Sequence, residues 1–437
     1  MPVPVHYSEK ALRTHDQPIT YFMQQAIENP DLISLAAGLV DPWSLPAEEV
    51  RGAFAQILSE PERAYAALQY GTTKGYAPLR QKLLDRLCKL DGIADPADIS
   101  LTPLDVVVTT GSQQLLYLVS ELLLDPGDLV ITEAPAYFVY QGTLDSMGAR
   151  TLSVPMDENG MQTDLLEELL DRLEHTGEIG KLRLIYVCDY FQNPTGLNLS
   201  LERRQHLLEL VKRYSRDHRI LILEDSAYRE LRYAGEDIPS IKSLDKTNEF
   251  VILAMTFSKP CAPGLKTGYG FLPHELVGPL LRLKGNHDFG SNNLTQHLLD
   301  HLLETGAYDS HVEQLRKVYR KKLDALLEAL ENEFGGSDIQ WTHPDGGLYV
   351  WVTFPPGLET GPDSPLMKAA LEEGVLYVPG QFCYVDDENG VRTNEARLSF
   401  GVVPLEQIGE AVRRLAKAVE ACTGRIAKAT SQSTARC

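Results

Sequence analysis

The chain has 437 residues, of which 43% are hydrophobic and 23% are charged, a composition typical of a globular protein long enough for two domains. The 61 acidic and 41 basic residues give a net charge of −20, which would repel nucleic acid and anionic membranes, so neither is an expected partner. The six cysteines are scattered and lack zinc-site spacing, so no metal is expected. The sequence has no apolar leader and no run of 18 apolar residues, which predicts a cytoplasmic protein with no membrane span.

The middle of the chain alternates strand and helix patterns. In chain order we predict a strand over 105–111, a helix over 112–124, a strand over 129–137, a helix over 163–177, a strand over 182–190, a helix over 201–218 and strands over 220–228 and 250–258. The strands are continuously apolar, which indicates burial on both faces. The pattern therefore predicts an α/β fold with a mostly parallel sheet flanked by helices.

The pattern changes after about residue 308. We predict a helix over 311–334, strands over 346–354, 374–380 and 395–401, and a last helix over 405–422. These elements form a smaller α+β domain. The predicted division is a large domain over 46–308, a small domain built from 1–45 and 309–422, and a flexible tail over 423–437.

Polar residues follow the predicted parallel strands, where such sheets bind ligands. They are Gly111, Ser112, Gln113, Tyr137, Asn193, Asp225, Tyr228 and the segment from Thr256 to Lys259. Because these strand ends meet at one edge of the sheet, the residues together predict a site.

Each signal has two interpretations when it is taken alone. Asp225, after a buried strand, is either half of a salt bridge or helix cap, or an acid that pairs with a protonated heterocycle. Lys259 is either a surface lysine or a buried nucleophilic amine. The stretch NPTG at 193–196 is an ordinary turn or part of a site. Gly111 either makes a turn capped by Ser112 or frees the next helix to bind an anion.

Taken together, the motifs resemble the fold-type I pyridoxal phosphate (PLP) enzymes, specifically the class I/II aminotransferases, and look most similar to the 2-aminoadipate and aromatic aminotransferase group. The stretches that carry the resemblance are LAAGLVDP (35–42), LQYGTTKGYAPLR (68–80), TTGSQQLL (109–116), DPGDLVITEAPAY (125–137), FQNPTG (191–196), LEDSAYRELRY (223–233), TFSKPCAPGLKTGY (256–269), DGGLYVWV (345–352) and RLSFG (397–401). They cover nearly the whole chain in the family's order.

The resemblance implies a role for each residue around the PLP ring. Lys259 would bind the PLP aldehyde and then carry the proton at the substrate's α-carbon. Asp225 would pair with the ring nitrogen, Tyr137 would stack on the ring, and Asn193 and Tyr228 would hydrogen-bond its phenolic oxygen.

The resemblance also implies the sites of the substrate carboxylate and the PLP phosphate. Arg397 would clamp the carboxylate beside Asn193 and Gly38; its alternative is a surface residue on an edge strand. The phosphate would contact Ser112, Gln113, Thr256, Ser258, Lys266 and, from the second subunit of a homodimer with sites at its interface, Tyr70. The family usually has Arg where this chain has Lys266, so weaker PLP binding or a changed tilt of PLP is expected.

The predicted function is amino-group transfer between an L-amino acid and a 2-oxo acid. A PLP-dependent lyase, or a biosynthetic enzyme of the same fold, stays open as the alternative, because the first proton abstraction is shared. A DNA-binding regulator does not fit an acidic chain with fewer than ~45 residues before the predicted core, and the intact Lys259, Asp225 and Arg397 argue against an inactive scaffold. Residues 19–30 and 283–293 are candidates for substrate selection, and the apolar first segment favours bulky substrates.

Overall fold

The structure is a computed structural model that describes residues 5–29 and 31–424. Its helices are α1 (Glu9–Arg13), α2 (Pro18–Glu28), α3 (Ala47–Ser59), α4 (Pro61–Leu68), α5 (Ala77–Asp91), α6 (Ser112–Leu123), α7 (Phe138–Met147), α8 (Thr163–Thr176), α9 (Leu201–Tyr214), α10 (Ile241–Leu244), α11 (His274–Asp288), α12 (Asn293–Glu304), α13 (Ala307–Phe334), α14 (Pro365–Glu372) and α15 (Leu405–Thr423). Its strands are β1 (Ile33–Ser34), β2 (Val106–Thr109), β3 (Leu129–Ala134), β4 (Arg150–Asp157), β5 (Gly160–Met161), β6 (Leu182–Val187), β7 (Leu221–Asp225), β8 (Val251–Thr256), β9 (Gly268–Phe271), β10 (Gln340–Trp341), β11 (Tyr349–Thr353), β12 (Val375–Leu376), β13 (Val378–Pro379) and β14 (Glu395–Ser399). Within the described ranges, no helix is long and apolar enough to cross a membrane.

The larger sheet has the strand order β2-β9-β8-β7-β6-β3-β4-β5. Strands β3, β4, β6, β7 and β8 run parallel to one another, whereas β9 runs antiparallel to both of its neighbours, β2 and β8. Helices cover both faces: Leu129 and Ile131 of β3 pack in the core with α8 and α9, and Val130 between them packs with α6 and α7. This confirms the predicted α/β class and the mostly parallel sheet.

The smaller sheet is antiparallel, with the order β10-β11-β14-β13. Its core is shared with α13, α14 and α15, whose apolar faces supply residues such as Leu326 and Leu415. Strand β14 pairs with β11 on one side and β13 on the other, so it is an interior strand.

The segment after α2 joins the C-terminal part of the chain. Strand β1 pairs parallel with β12, through Ile33 and Val375. The Leu35 N–H donates to the Leu376 carbonyl at 2.7 Å, and the Leu35 carbonyl accepts from the Ser399 N–H at 2.6 Å. Residues 33–35 are thereby tied to elements more than 300 positions later in the chain.

Helix α1 packs elsewhere, against α7 on the larger sheet. The Lys10 ammonium there donates to the Tyr117 hydroxyl of α6 at 2.6 Å. The division that places residues 1–45 with the smaller domain stays a prediction, and within that segment α1 contacts a helix of the larger sheet. At the other end, α15 ends at Thr423 before a left-handed Gly424, and residues 425–437 of the predicted tail lie outside the described ranges.

Proline and glycine set several element ends that differ from the predictions. The strand predicted over 129–137 ends at Ala134, because Pro135 has no N–H to donate to a neighbouring strand. The strand predicted from 346 begins at Tyr349, after Gly347 in the left-handed region at φ +74°. The pattern analysis also missed α3 to α5, α7, α11, α12, β4 and β9.

Candidate active site

A cavity of about 380 Å³ lies where the loops after β2, β3, β6, β7 and β8 meet β11 and β14. All of the predicted site residues except Tyr70 line it, namely Gly38, Ser112, Gln113, Tyr137, Asn193, Asp225, Tyr228, Thr256, Ser258, Lys259, Lys266 and Arg397. The carboxyl edge of the parallel strands and the smaller sheet thus form one enclosed volume, as expected for an open α/β sheet.

Lys259 lies three residues after β8 and is half-buried on the cavity wall. Its ammonium donates to the Gly38 carbonyl at 2.7 Å and lies 5.8 Å from the centre of the Tyr228 ring. Among the described residues it forms no ion pair, and its partial burial on the cavity wall sets it apart from an exposed surface lysine. An amine in this position is available to a ligand in the cavity.

Asp225 ends β7 and is only 4% exposed. One carboxylate oxygen accepts from the Tyr186 hydroxyl at 3.0 Å, and the other has no hydrogen-bond partner in the described structure. Burial is the main reason that the pKa of Asp225 rises to about 7; the Tyr186 hydrogen bond lowers it, and the negative charge of Asp189 raises it.

Neither alternative interpretation of Asp225 describes its surroundings. No cation of the described chain pairs with it, and no helix begins at Asp225. A buried carboxylate with one unpaired oxygen on a cavity wall lacks a partner, and a cationic group of a ligand would stabilise its charge.

Arg397 is a buried residue of the interior strand β14, so the alternative of a surface residue on an edge strand is wrong. Its guanidinium donates to the Asn193 side-chain oxygen at 2.8 Å and to the Ala36 carbonyl at 2.7 Å. It also lies 4.4 Å from the centre of the Tyr349 ring. Both hydrogen-bond partners are neutral, so the positive charge of Arg397 is left for an anion in the cavity.

The amino end of α6 forms another part of the wall. Gly111 precedes it at φ +77°, and no side chain caps the helix, so the alternative of a cap by Ser112 is wrong. The first N–H groups of the helix are therefore available to an anion. The Thr256 and Ser258 hydroxyls, 3.0 Å apart, and Lys266 line the same cavity.

The Asn193 turn and the tyrosines complete the cavity. The stretch at 193–196 is indeed a turn, and Asn193 within it reaches Arg397. The Tyr228 hydroxyl lies 2.9 Å from that of Tyr349, and Tyr137 precedes α7 on the same wall.

Several cavity residues were not singled out from the sequence. Tyr349 and Phe138 line the cavity, and Tyr186 supports Asp225 from the neighbouring strand. Tyr349 lies inside the quoted stretch DGGLYVWV, and Phe138 directly follows Tyr137, so both were adjacent to recognised positions. The contact of Tyr186 depends on the register of β6 against β7, which no local pattern reveals.

Tyr70, Phe22 and the segment 283–293 do not line the described cavity. Tyr70 is 84% exposed and makes an edge contact with Phe289 at 5.8 Å between ring centres. Phe22 is buried in the core of the smaller sheet, while the side chain of Tyr21 lies outside the described atoms. The segment 283–293 contributes nothing to the described cavity lining.

Comparison with known proteins agrees with these features. The family model for "Aminotransferase class I and II" matches residues 30–415. The chain is 36% identical over 417 residues to an aromatic-amino-acid aminotransferase of Thermococcus litoralis, covering 95% of this chain and 94% of that protein. It is also 36% identical over 395 residues to a 2-aminoadipate transaminase of Thermus thermophilus, covering 90% and 91%. The fold superposes on a kynurenine aminotransferase of Pyrococcus horikoshii solved in complex with PMP, with a TM-score of 0.86, 34% identity and coverage of 95% and 97%.

Proposed function

The chain belongs to the class I and II aminotransferases and is a PLP-dependent aminotransferase, and we propose that it carries out transamination of neutral, bulky amino acids in the cavity around Lys259. One observation carries the proposal: Lys259, Asp225 and Arg397, from three distant parts of the chain, line a single cavity of about 380 Å³. An amine, an unpaired buried acid and an uncompensated guanidinium are the groups that PLP and an amino acid require.

The residues of the cavity fit PLP, because the unpaired oxygen of Asp225 supplies a partner for the ring nitrogen. When bound, PLP supplies a ring that accepts the electron pair left at the substrate's α-carbon. Asp225 keeps the ring nitrogen protonated, and its own charge is stabilised in return. Asn193 and Tyr228 hold the phenolic oxygen, and Tyr137 covers the ring.

Lys259 binds the aldehyde and then moves the proton at the α-carbon. For this second role its amine must lose a proton. The hydrogen bond to the Gly38 carbonyl at 2.7 Å holds the amine on the cavity wall. This position beside the bound substrate is the one that a general base requires.

Arg397 binds the α-carboxylate of the substrate and so orients the α-carbon towards Lys259. The Asn193 and Ala36 oxygens already hold its guanidinium in place, so little side-chain entropy is lost on binding. Gly38 lies beside the proposed carboxylate position, and its lack of a side chain leaves room for the Tyr349 hydroxyl, whose oxygen would be 2.5 Å from an added Cβ.

The phosphate is held by the amino end of α6 at Ser112 and Gln113, together with Thr256, Ser258 and Lys266. The free N–H groups of the helix and its dipole favour an anion. Lys266 contributes charge without the two-pronged geometry of arginine.

The wall that remains for the substrate side chain is apolar. Leu39, Phe138, Val139 and the Tyr349 ring line the cavity. Among the described lining residues, the only cations are Lys259, Lys266 and Arg397, all of which have roles already. No described cation is left for a second carboxylate, which favours aromatic or large aliphatic amino acids over acidic ones.

The working form is a homodimer with sites at its interface, and the protein works in the cytoplasm. Tyr70 is exposed and lies outside its own cavity, beside the exposed apolar residues Tyr65, Leu68 and Phe289. Such a patch indicates a partner surface, from which Tyr70 reaches the phosphate of the other subunit. The five cysteines in the described ranges are unpaired, in keeping with a reducing compartment.

The test is the visible spectrum of the PLP-loaded protein, recorded before and after each of a panel of amino acids is added. We expect the visible absorbance to fall with phenylalanine, tyrosine or leucine and to return when a 2-oxo acid is added. Release of ammonia without that return would instead establish a lyase. If glutamate or 2-aminoadipate gave the fastest change, the proposed substrate class would be wrong while transamination stood.

A further inference from the structure

Tyr349 is a buried cavity residue that offers a hydroxyl as well as the ring that lines the substrate wall. It begins β11, is 2% exposed and lines the cavity. Its hydroxyl lies 2.9 Å from the Tyr228 hydroxyl, and its ring centre lies 4.4 Å from the Arg397 guanidinium carbon. One side chain therefore contacts both the proposed ring-oxygen donor and the proposed carboxylate clamp.

The same hydroxyl also lies against the backbone that binds Lys259. A Cβ added at Gly38 would be 2.5 Å from the Tyr349 hydroxyl oxygen, and the Gly38 carbonyl accepts from Lys259 at 2.7 Å. Tyr349 thus lies where the surroundings of Lys259, Tyr228 and Arg397 meet. Because it is packed on all these sides, its hydroxyl has little freedom to move.

We propose that Tyr349 is a positioning residue whose hydroxyl orients the Tyr228 hydroxyl and whose ring steadies the Arg397 guanidinium. The inference rests on the proposed function, since it assigns to Tyr349 a part in holding PLP and the substrate through Tyr228 and Arg397. Tyr349→Phe removes the hydroxyl alone, and a comparison of Tyr349→Phe with Tyr349→Leu isolates the ring.

The direction of the hydroxyl pair follows from charge. Either oxygen can donate in the Tyr228–Tyr349 pair. The Arg397 guanidinium carbon lies 4.4 Å from the Tyr349 ring centre, whereas the Lys259 ammonium lies 5.8 Å from the Tyr228 ring centre, so the nearer positive charge favours Tyr349 as the donor. When Tyr349 donates, the Tyr228 proton stays free for the phenolic oxygen of PLP, and the chain of two hydrogen bonds strengthens both.

The surroundings keep Tyr228 neutral and able to donate. Burial, and then the adjacent Tyr349, raise the pKa of Tyr228 well above its usual range. The other titratable groups that face the pair are Tyr137, Cys188, Lys259 and Arg397.

The first experiment compares wild type with Tyr349→Phe, both loaded with PLP, by titrating the visible absorbance against pH. A donor to the phenolic oxygen offsets its negative charge, so the proton held at Lys259 Nζ is bound less tightly. Weakening that donor should raise the pH midpoint by about 0.5 unit. The matched control is Tyr377→Phe, which removes an equally buried hydroxyl, bonded to the Thr360 carbonyl at 3.0 Å outside the cavity, and should leave the midpoint unchanged.

A double-mutant cycle with Tyr228→Phe separates positioning from a direct effect. If Tyr349 acts through Tyr228, Tyr349→Phe should shift the midpoint in the wild-type background and leave it unchanged in the Tyr228→Phe background. The role of the ring is tested by measuring KM for the amino acid. Tyr349→Phe should keep KM within about two-fold of wild type, whereas Tyr349→Leu should raise it about five-fold through loss of the cation–ring contact.

An unchanged midpoint in Tyr349→Phe, or the same shift in both backgrounds, would overturn the role of the hydroxyl. Equal KM values for Tyr349→Phe and Tyr349→Leu would overturn the role of the ring. Failure of the proposed function is a separate result, because it would appear in wild type as a spectrum that no amino acid changes.

Discussion

At the scale of single residues, the unpaired acid Asp225 makes the stability of the PLP-free protein depend on pH. Its folded pKa of about 7 lies above the usual unfolded value near 3.9, so between these pH values the folded state holds a proton that the unfolded state has lost. The contribution of Asp225 to stability is therefore largest at low pH and falls as the pH rises towards 7.

Asp225→Asn removes that titration. For PLP-free protein, we compare the free energy of unfolding of the variant with that of wild type. We expect this difference to change in favour of the variant by roughly 2–4 kcal/mol as the pH rises from ~4 to ~7. Unfolding by urea, followed at several pH values for both proteins, measures the gain. The buried Glu133, with its pKa raised to about 8, titrates in both proteins, but part of that rise comes from the charge of Asp225, so its effect on stability cancels only in part. A stability difference that did not vary with pH would contradict the prediction.

The contact between Gly38 and Tyr349 predicts that a substitution at Tyr349 compensates for one at Gly38. In Gly38→Ala, the new Cβ would meet the Tyr349 hydroxyl oxygen at 2.5 Å, so KM for the amino acid should rise by about ten-fold or more. In Tyr349→Phe the nearest ring atom would be 3.5 Å away, an ordinary contact, and the same substitution should then be tolerated. Steady-state kinetics of the two single variants and the double variant decide this; additive losses would exclude the clash as the cause.

At Lys266 we predict a substitution that increases the affinity for PLP. Lys266→Arg should tighten PLP binding by about three- to ten-fold, because a guanidinium can make two parallel hydrogen bonds to a phosphate. Fluorescence titration of the PLP-free protein with PLP measures the change, with the exposed Lys181→Arg as control. Weaker binding in Lys266→Arg would mean that the cavity is shaped for the smaller ammonium.

The residue scale also shows how far the sequence predicts the site. Lys259, Asp225 and Arg397 lie in recognisable motifs, so the resemblance could name them before their cavity was known. Tyr186 and Tyr349 could not be assigned, because their contacts follow from strand register and from the packing of two sheets. The specific roles of all these residues stay predictions until variants are measured.

At the scale of elements, the contact between β9 and the amino end of α6 controls the proposed phosphate site. Gly268 of β9 lies so close that an added Cβ would be 2.4 Å from the Ser112 backbone nitrogen. The sequence GYGF gave no strand signal because glycine is a poor strand former, yet the close approach requires that glycine. Composition therefore does not predict β9, whose glycines allow close contact with a helix, whereas it does predict the apolar strands β3 and β8.

Gly268→Ala should displace the first turn of α6 and weaken PLP binding by about ten-fold or more. Equilibrium titration with PLP is the measurement. Gly264→Ala, in the turn that precedes β9 and with nothing within 4 Å of its added Cβ, is the matched control and should bind as wild type does. Equal affinities of the two variants would show that the helix end does not hold the phosphate.

At the scale of the whole molecule, sharing of the site between subunits can be tested by mixing. A Lys259→Ala subunit and a Tyr70→Ala subunit are each expected to be inactive alone. If Tyr70 serves the partner's site, each mixed dimer has one intact site, so unfolding and refolding the two together in equal amounts should restore about a quarter of wild-type activity. If Tyr70 served its own site, no combination would contain an intact one and the mixture would stay inactive.

The connection between residues 33–36 and the far end of the chain bears on biosynthesis. The Ala36 carbonyl and the Arg397 guanidinium, which hydrogen-bond at 2.7 Å, are separated by 361 positions. Translation proceeds from the amino end, so residues 33–36 are made long before β12 and β14. They therefore have no pairing partner until those strands have been synthesised. The proposed carboxylate clamp therefore forms only after Arg397 has been made, so a nascent chain arrested between residues 376 and 397 has the pairing partner of β1 but lacks the clamp.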